Sequence, residues 1–249
     1  MEKVAILIPC LNEEKAIARV IRAVPNEVLL QMNYDPQVIV IDNNSNDNTA
    51  RIAAECGASV IVEKRRGKGY ALKRGFASLP KDTEYVIVID GDDTYKPAEI
   101  PRLLEPLRSN FCDVISGSRL SGKQIRDSLS FSHRLVNWGL SFIVRQFYHA
   151  NVTDVLTGFF ALKKNVVSDI LPYLSANDFT IEMELTSKLS KLGFTIFSVP
   201  ITYDRRIGHS KIHEYKDGSK ILLKLVHGIM WKPPRTLQLK VQYENSIRF

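Results

Sequence analysis

Five short apolar runs, rich in β-branched residues, alternate with amphipathic stretches through the first half of the chain. That alternation restricts the fold to an α/β arrangement: an open, mostly parallel twisted sheet flanked by helices. The runs cover residues 4–8, 37–41, 59–62, 85–89 and 113–116. A strand buried on both faces reads as an unbroken apolar run, and Tyr85-Val86-Ile87-Val88-Ile89 is the clearest case.

Helix signals fill the gaps. Asn12 is a natural cap for a helix from Glu13 that buries Ile17, Val20, Ile21 and Val24. Asp47 caps a second helix, which Gly57 ends. Ala71, Leu72, Phe76 and Leu79 repeat at helical spacing, and Pro97 opens a helix carrying Leu103, Leu104 and Leu107. In the second half, residues 158–162 and 195–199 read as strands, with helices over 165–174 and 178–192. No low-complexity linker interrupts the chain. The expected organisation is one domain over residues 1–204, followed by a basic, amphipathic appendage over 205–249.

In a sheet of this kind the loops after the strands gather at one edge, where ligands bind. Asn12 and Glu13 follow the first strand, Asp42 the second, Arg65 to Lys68 the third, and Asp90-Gly91-Asp92-Asp93 the fourth. Carboxylates crowded into one crevice repel each other unless a cation neutralises them, and Mg²⁺ or Mn²⁺ takes oxygen ligands from carboxylates and phosphates together. Asp90 and Asp92 are therefore the expected metal-side residues. Asp42 can accept hydrogen bonds from a base or ribose, and Arg65 and Lys68 can meet a diphosphate. Taken alone, the acidic cluster also reads as a capping turn and the basic run as a solvated turn. Gly67-Lys68-Gly69 lacks the phosphate-loop spacing, and no Gly-x-Gly-x-x-Gly follows the first strand, which weighs against an oxidoreductase.

Charge and composition narrow the partners. With 45% apolar and 24% charged residues the chain is an ordinary globule. Residues 1–200 hold 24 Lys and Arg against 23 Asp and Glu, whereas residues 201–249 hold 10 against 4. A basic end suits an anionic membrane surface or a phosphate. No zinc-finger or RNA-recognition signature accompanies it, so nucleic acid is disfavoured. Cys10, Cys56 and Cys112 read as free thiols of a reducing compartment. The opening residues lack a secretory signal, and no run of 18 apolar residues is long enough to span a bilayer, so a peripheral, cytoplasmic-side location is expected. Two segments, residues 128–149 and 219–232, have the mixed apolar and basic composition of interfacial helices. Packing on the core or a homo-oligomer interface is the alternative use of both.

Four motifs carry a family resemblance: Ile8-Pro9-Cys10-Leu11-Asn12-Glu13-Glu14, Val40-Ile41-Asp42-Asn43-Asn44-Ser45, Gly67-Lys68-Gly69-Tyr70-Ala71 and Asp90-Gly91-Asp92. Together they resemble the inverting family 2 glycosyltransferases of the GT-A fold. Gly117-Ser118-Arg119, Arg134 and residues 154–159, 182–185 and 203–211 make the second half similar to polyprenyl- and dolichyl-phosphate sugar synthases. The resemblance implies that Pro9, Glu13 and Asp42 hold the nucleoside, that Asp90 and Asp92 meet diphosphate and metal, and that Arg119 and Arg134 meet the acceptor phosphate. It also implies that Arg205, Ser210 and Lys211 lie on a closing loop. Thr94 stands where many mannose-type members place a metal-binding Gln, so the third metal ligand is Asp93, Thr94 or water. Asp154 is an acceptor-side carboxylate that orients an arginine, serves as a base or caps a turn.

The reaction so implied is transfer of a sugar from a nucleotide-diphosphate donor, UDP favoured over GDP, to a polyprenyl or dolichyl phosphate. The competing expectations are transfer to a sugar hydroxyl or other soluble acceptor, nucleotidyl transfer, and a non-catalytic binding module.

Overall fold

In the computed structural model, which describes residues 1–123, 131–148, 150–207 and 214–246, a single seven-stranded sheet organises the chain. Its strands are β1 (Glu2–Cys10), β2 (Tyr34–Asp42), β3 (Ser59–Val62), β4 (Thr83–Val88), β5 (Val114–Ser118), β6 (Phe160–Lys163) and β7 (Ile196–Pro200). Their order is β3-β2-β1-β4-β6-β5-β7. All neighbouring pairs are parallel except those of β6, which runs antiparallel between β4 and β5.

The sheet is apolar on both faces, as the unbroken runs require. Along β1 the side chains alternate: Ala5 and Leu7 enter one core, while Val4, Ile6 and Ile8 enter the other. The second core is closed by α1 (Ile17–Arg22), α2 (Asn26–Gln31), α3 (Thr49–Glu55) and α5 (Ile100–Arg108), through Ile17, Leu29, Ala53 and Leu103 among others. The first core is closed by α4 (Lys68–Ala77), α6 (Phe131–Tyr148), α7 (Lys164–Ile170) and α8 (Ile181–Leu192). Leu225 of α9 (Glu214–Met230) and Val241 of α10 (Arg235–Ser246) join this same core.

Several helix limits differ from the sequence expectation, for identifiable reasons. The first helix begins at Ile17 rather than Glu13: Asn12 takes left-handed backbone and its Oδ1 accepts Asn46 N–H instead of capping, while the N–H groups of Asn12, Glu13 and Glu14 bond to Ser45, Thr49 and Asp47 of the neighbouring loop. Pro97 opens a 3-10 turn that leads into α5. Helix α2 was not anticipated, since Leu29 is its one buried residue and no apolar stripe announces it. Helix α10 likewise buries only Val241.

Glu184 of α8 ties this side of the sheet together. Its carboxylate accepts the Ser175 and Ala176 N–H groups at 2.9 and 2.6 Å, and the ammonium groups of Lys188 and Lys224, each at 2.8 Å. Burial alone would push this acid up, but the lysine and backbone donors outweigh it and hold its pKa at about 2. A depressed carboxylate contributes stability above its unfolded pKa, and that contribution is lost as pH falls from about 4.5 through about 2. Glu184→Gln is expected to cost about 3 kcal/mol at neutral pH by stranding two lysines. It should also flatten the acid limb of the stability curve, as read by denaturant unfolding from pH 7 to pH 2.

Candidate functional site

The carboxyl ends of β1, β2 and β4 open into one cavity of about 220 Å³, lined by Pro9, Cys10, Leu11, Glu13, Asn43, Gly67, Lys68, Asp90, Gly91, Asp92, Phe179 and Arg206. Its walls are the loops that follow these strands, as expected at the edge of a parallel sheet. Asn12, Asn44 and Asp93 adopt left-handed backbone, with φ of 52°, 62° and 65°, in a conformation that Asn and Asp tolerate best. The loops after β1 and β2 are stitched together: Asn12 N–H donates to Ser45 Oγ at 2.9 Å, and Asn12 Oδ1 accepts Asn46 N–H at 2.8 Å. Asp42 lies buried beneath them. Its Oδ2 accepts Ser45 N–H at 3.2 Å, while its Oδ1 has no partner among the described residues. Asp42 does not itself line the cavity; its neighbour Asn43 does.

The third wall is drawn in by glycine. Gly67 has φ of 139°, and a Cβ there or at Gly69 would strike the carbonyl oxygen of Asn177 or of Ala176. Asn43 fixes this loop by accepting Gly67 N–H at 2.7 Å and donating to the Arg65 carbonyl at 2.6 Å. Arg65 itself is turned to Glu63, with which it forms a two-point pair at 2.9 and 3.0 Å, and it stacks 4.5 Å from the Tyr70 ring. That pairing depresses the Glu63 pKa to about 2. Lys68 points into the cavity and bridges Asp90 at 2.6 Å and Glu182 at 2.5 Å. Burial works against its charge, but the two carboxylates prevail and hold its pKa well above the ordinary lysine value. Burial, reinforced by Asp90, keeps Glu182 above the usual carboxylate range in spite of Lys68, and its Oε2 has no partner among the described residues.

Asp92 is buried. Its Oδ1 accepts both the backbone N–H and the hydroxyl of Thr94, at 3.1 and 2.6 Å, and its Oδ2 meets Arg206 at 2.5 Å. Arg206 arrives there because residues 203–207 zip onto the loop after β4. Tyr203 bridges Tyr95, Asp204 N–H donates to the Thr94 carbonyl at 2.8 Å, and Ile207 N–H donates to the Asp92 carbonyl at 3.2 Å. Asp93 is half-buried beside this strap. Gly158 completes the floor: its N–H donates to Tyr95 Oη at 2.7 Å, and a Cβ would collide with the Asp90 carboxylate.

Asp154 and Arg119 form a second, adjoining unit. Asp154 is fully buried and accepts the Arg119 backbone N–H, Nε and Nη2 at 3.0, 2.7 and 2.8 Å, plus Asn137 Nδ2 at 2.6 Å. Burial opposes its charge, yet Arg119 and these bonds leave its pKa below the ordinary value. The Arg119 guanidinium lies 5.3 Å from the Tyr203 ring, which in turn packs edge-on against Tyr95 at 5.2 Å. Asp154 thus orients an arginine.

Of the residues singled out from sequence, the cavity brings together Pro9, Glu13, Lys68, Asp90 and Asp92, with Asp42 and Thr94 directly behind them. Arg134 is exposed on α6 and Arg205 is exposed beside the strap, while Ser210 and Lys211 lie outside the described residues. Glu182 and Arg206 were not among the anticipated site residues. Glu182 was visible only as part of a family-like segment, and Arg206 is displaced by one residue from the arginine the resemblance pointed to.

The model of the family described as Glycosyl transferase family 2 matches residues 5–171. Among curated relatives, the low-salt glycan biosynthesis hexosyltransferase Agl6 of Haloferax volcanii is 34% identical over 215 residues, 86% of this chain and 51% of its own. The chain therefore spans about half of that relative's length. The glycosyltransferase AglJ of the same organism is 31% identical over 90% of this chain and 71% of its own, and a dolichyl-phosphate hexose transferase is 27% identical over 88% and 91%. Among solved structures, glucosyl-3-phosphoglycerate synthase from Mycobacterium tuberculosis, crystallised with Mn²⁺, UDP-glucose and phosphoglyceric acid, superposes with a TM-score of 0.71 at 23% identity, covering 93% of this chain and 81% of that one. On the family match, which takes in β1 to α7 and with them both carboxylates after β4, the chain belongs to glycosyl transferase family 2.

Proposed function

We propose that this chain transfers a sugar, with inversion, from a nucleotide-diphosphate donor to the phosphate of a polyprenyl or dolichyl phosphate, with UDP favoured over GDP as carrier. The observation that carries the donor half is the joint presence of Asp90 and Asp92 in the cavity beyond β4, with the orphaned Asp42 oxygen under its opposite wall. Asp42, Pro9 and Glu13 suit a nucleoside, and the Asp90 side suits its diphosphate.

The donor set fits a hard divalent cation. Two carboxylates supply oxygen only, and Mg²⁺ or Mn²⁺ completes its shell with phosphate oxygens and water rather than a protein cage. Asp90 and Asp92 would hold the ion, with Asp93 and Thr94 beside them. When bound, such an ion offsets negative charge on a departing diphosphate. The chain's own part is to position and enclose. Lys68 locks the orientation of Asp90, Thr94 that of Asp92, and the strap carrying Arg206 narrows the cavity above them. A phosphate nucleophile is already anionic near neutral pH, so no general base is required of Asp154.

The acceptor half rests on the Arg119–Asp154 unit and on two exposed apolar helix faces. Leu135, Trp138 and Phe142 are exposed on α6, and Leu222, Leu223, Val226 and Met230 on α9. Such faces beside basic residues suit peripheral contact with an anionic membrane. No described helix is long and apolar enough to cross one. We assign residues 1–204 to catalysis and 205–249 to closure and acceptor contact. Two observations favour a soluble acceptor as a second reading: the structural neighbour was crystallised with phosphoglyceric acid, and an arginine held by a buried carboxylate serves any phosphate.

Incubation with a nucleotide-sugar panel, Mn²⁺ or Mg²⁺, and short polyprenyl phosphates in vesicles should yield a lipid-linked sugar. That product should vanish with a chelator and fall about a hundredfold or more in Asp92→Asn, with circular dichroism unchanged. Glycosylation of phosphoglycerate or a saccharide without lipid product would replace the acceptor. Arg119→Lys, which breaks the two-point pair, should raise the acceptor KM while leaving the donor KM within about twofold, and Asp154→Ala should cost about 3–5 kcal/mol in thermal unfolding. An unchanged acceptor KM in Arg119→Lys would remove Arg119 from acceptor binding.

A further inference from the structure

A second cavity, of about 150 Å³, lies between α8 and α9 and is lined by Glu184, Ser187, Lys188, Lys224, His227 and Trp231 among others. Its chemistry is unlike that of the donor cavity. Lys188 and Lys224 share the single carboxylate of Glu184, so the pocket keeps an uncompensated positive charge. Each ammonium has three donors. Lys188 gives two of them to Glu184 and the Tyr173 carbonyl, and Lys224 gives two to Glu184 and Ser175 Oγ. Ser187 is buried, lines the cavity, and its hydroxyl has no hydrogen-bond partner among the described residues. An orphaned buried hydroxyl costs stability unless something occupies the space in front of it. His227 is exposed at the rim, and the Trp231 ring forms an apolar wall 5.2 Å from the Lys188 ammonium.

We propose that this cavity is a binding site for a single phosphate group, separate from the donor site. Its donors are the remaining protons of Lys188 and Lys224 with the Ser187 hydroxyl, three groups lining one small cavity. The phosphate comes either from a lipid headgroup, for which the exposed Leu222, Leu223, Val226 and Met230 elsewhere on the same helix offer apolar surface, or from a free phosphate or phosphate monoester.

The chain holds only two tryptophans, and Trp138 is exposed on α6, so Trp138→Phe leaves Trp231 as a reporter inside the cavity. In that background, titration with inorganic phosphate or glycerol phosphate, and separately with vesicles of phosphatidylcholine with or without phosphatidate, should give a saturable change in Trp231 emission. Ser187→Ala leaves the ion pairs intact and should weaken the response about tenfold; Lys224→Gln should do the same by removing a charge. Response to free phosphate alone identifies a soluble ligand, and response to phosphatidate vesicles alone identifies a headgroup. No response to either, or one equally strong in both variants, overturns the site. UDP affinity in the same samples reads the donor cavity independently: loss of UDP binding with the Trp231 response retained defeats the proposed donor and spares this inference, and the converse result defeats only this inference.

Discussion

The Lys68 ammonium, buried between Asp90 and Glu182, is the interaction on which the geometry of the donor cavity depends. It joins the start of α4, the end of β4 and the start of α8, three elements far apart in sequence. Placing a charge there is costly unless both its partners stay close, so the loop carrying Lys68 must lie against residues 176 and 177. That approach in turn demands glycine at 67 and 69. The cavity keeps an acidic excess, with Glu13, Asp90, Asp92 and Glu182 facing Lys68 and Arg206 and the raised pKa of Glu182 softening it. A diphosphate entering together with a divalent cation adds little net charge, so it meets far less electrostatic opposition than the diphosphate alone.

What could be read from the residues is what local chemistry encodes. Strand identity survived because β-branched runs buried on both faces leave a strong signature; β3 over Ser59–Val62 coincides with its expected limits. The acidic cluster was legible because its position is fixed by the strand before it. Strand direction was not encoded in the same way. Nothing in Phe160–Lys163 distinguishes a parallel from an antiparallel strand, and β6 inserts between β4 and β5 only because the chain returns from α6 at the opposite edge of the sheet.

The site partners that escaped sequence reading share one property: each is defined by a contact across more than a hundred residues. Lys68 reads from sequence as a cation that can meet a diphosphate, and in the structure its ammonium is held by Asp90 and by Glu182, 114 residues later. Arg205 and Arg206 are adjacent and chemically equal, and only the pairing of residues 203–207 with 92–95 decides which one meets Asp92. Asp154 left open a base, an arginine holder or a cap. Three bonds to Arg119 and one to Asn137 agree with the arginine holder, the Leu156 N–H on its Oδ1 at 3.3 Å adds the cap, and a carboxylate so saturated and held below its ordinary pKa is a poor base.

Residues 175–179 connect the two halves of this chemistry. Phe179 lines the donor cavity, and the Asn177 carbonyl accepts Gly69 N–H at 3.1 Å. On its other side the same segment is gripped by Glu184 through Ser175 and Ala176, and reached from α9 by Lys224 at Ser175 and Lys220 at Asp178. Apolar packing by Leu225 holds α9 to the core but is tolerant of sliding, whereas these charged hydrogen bonds are directional. The register of α9, the helix with the exposed apolar face, is therefore tied both to the loop that shapes the donor cavity and to α8, where Lys191 donates to the Ile229 and Trp231 carbonyls.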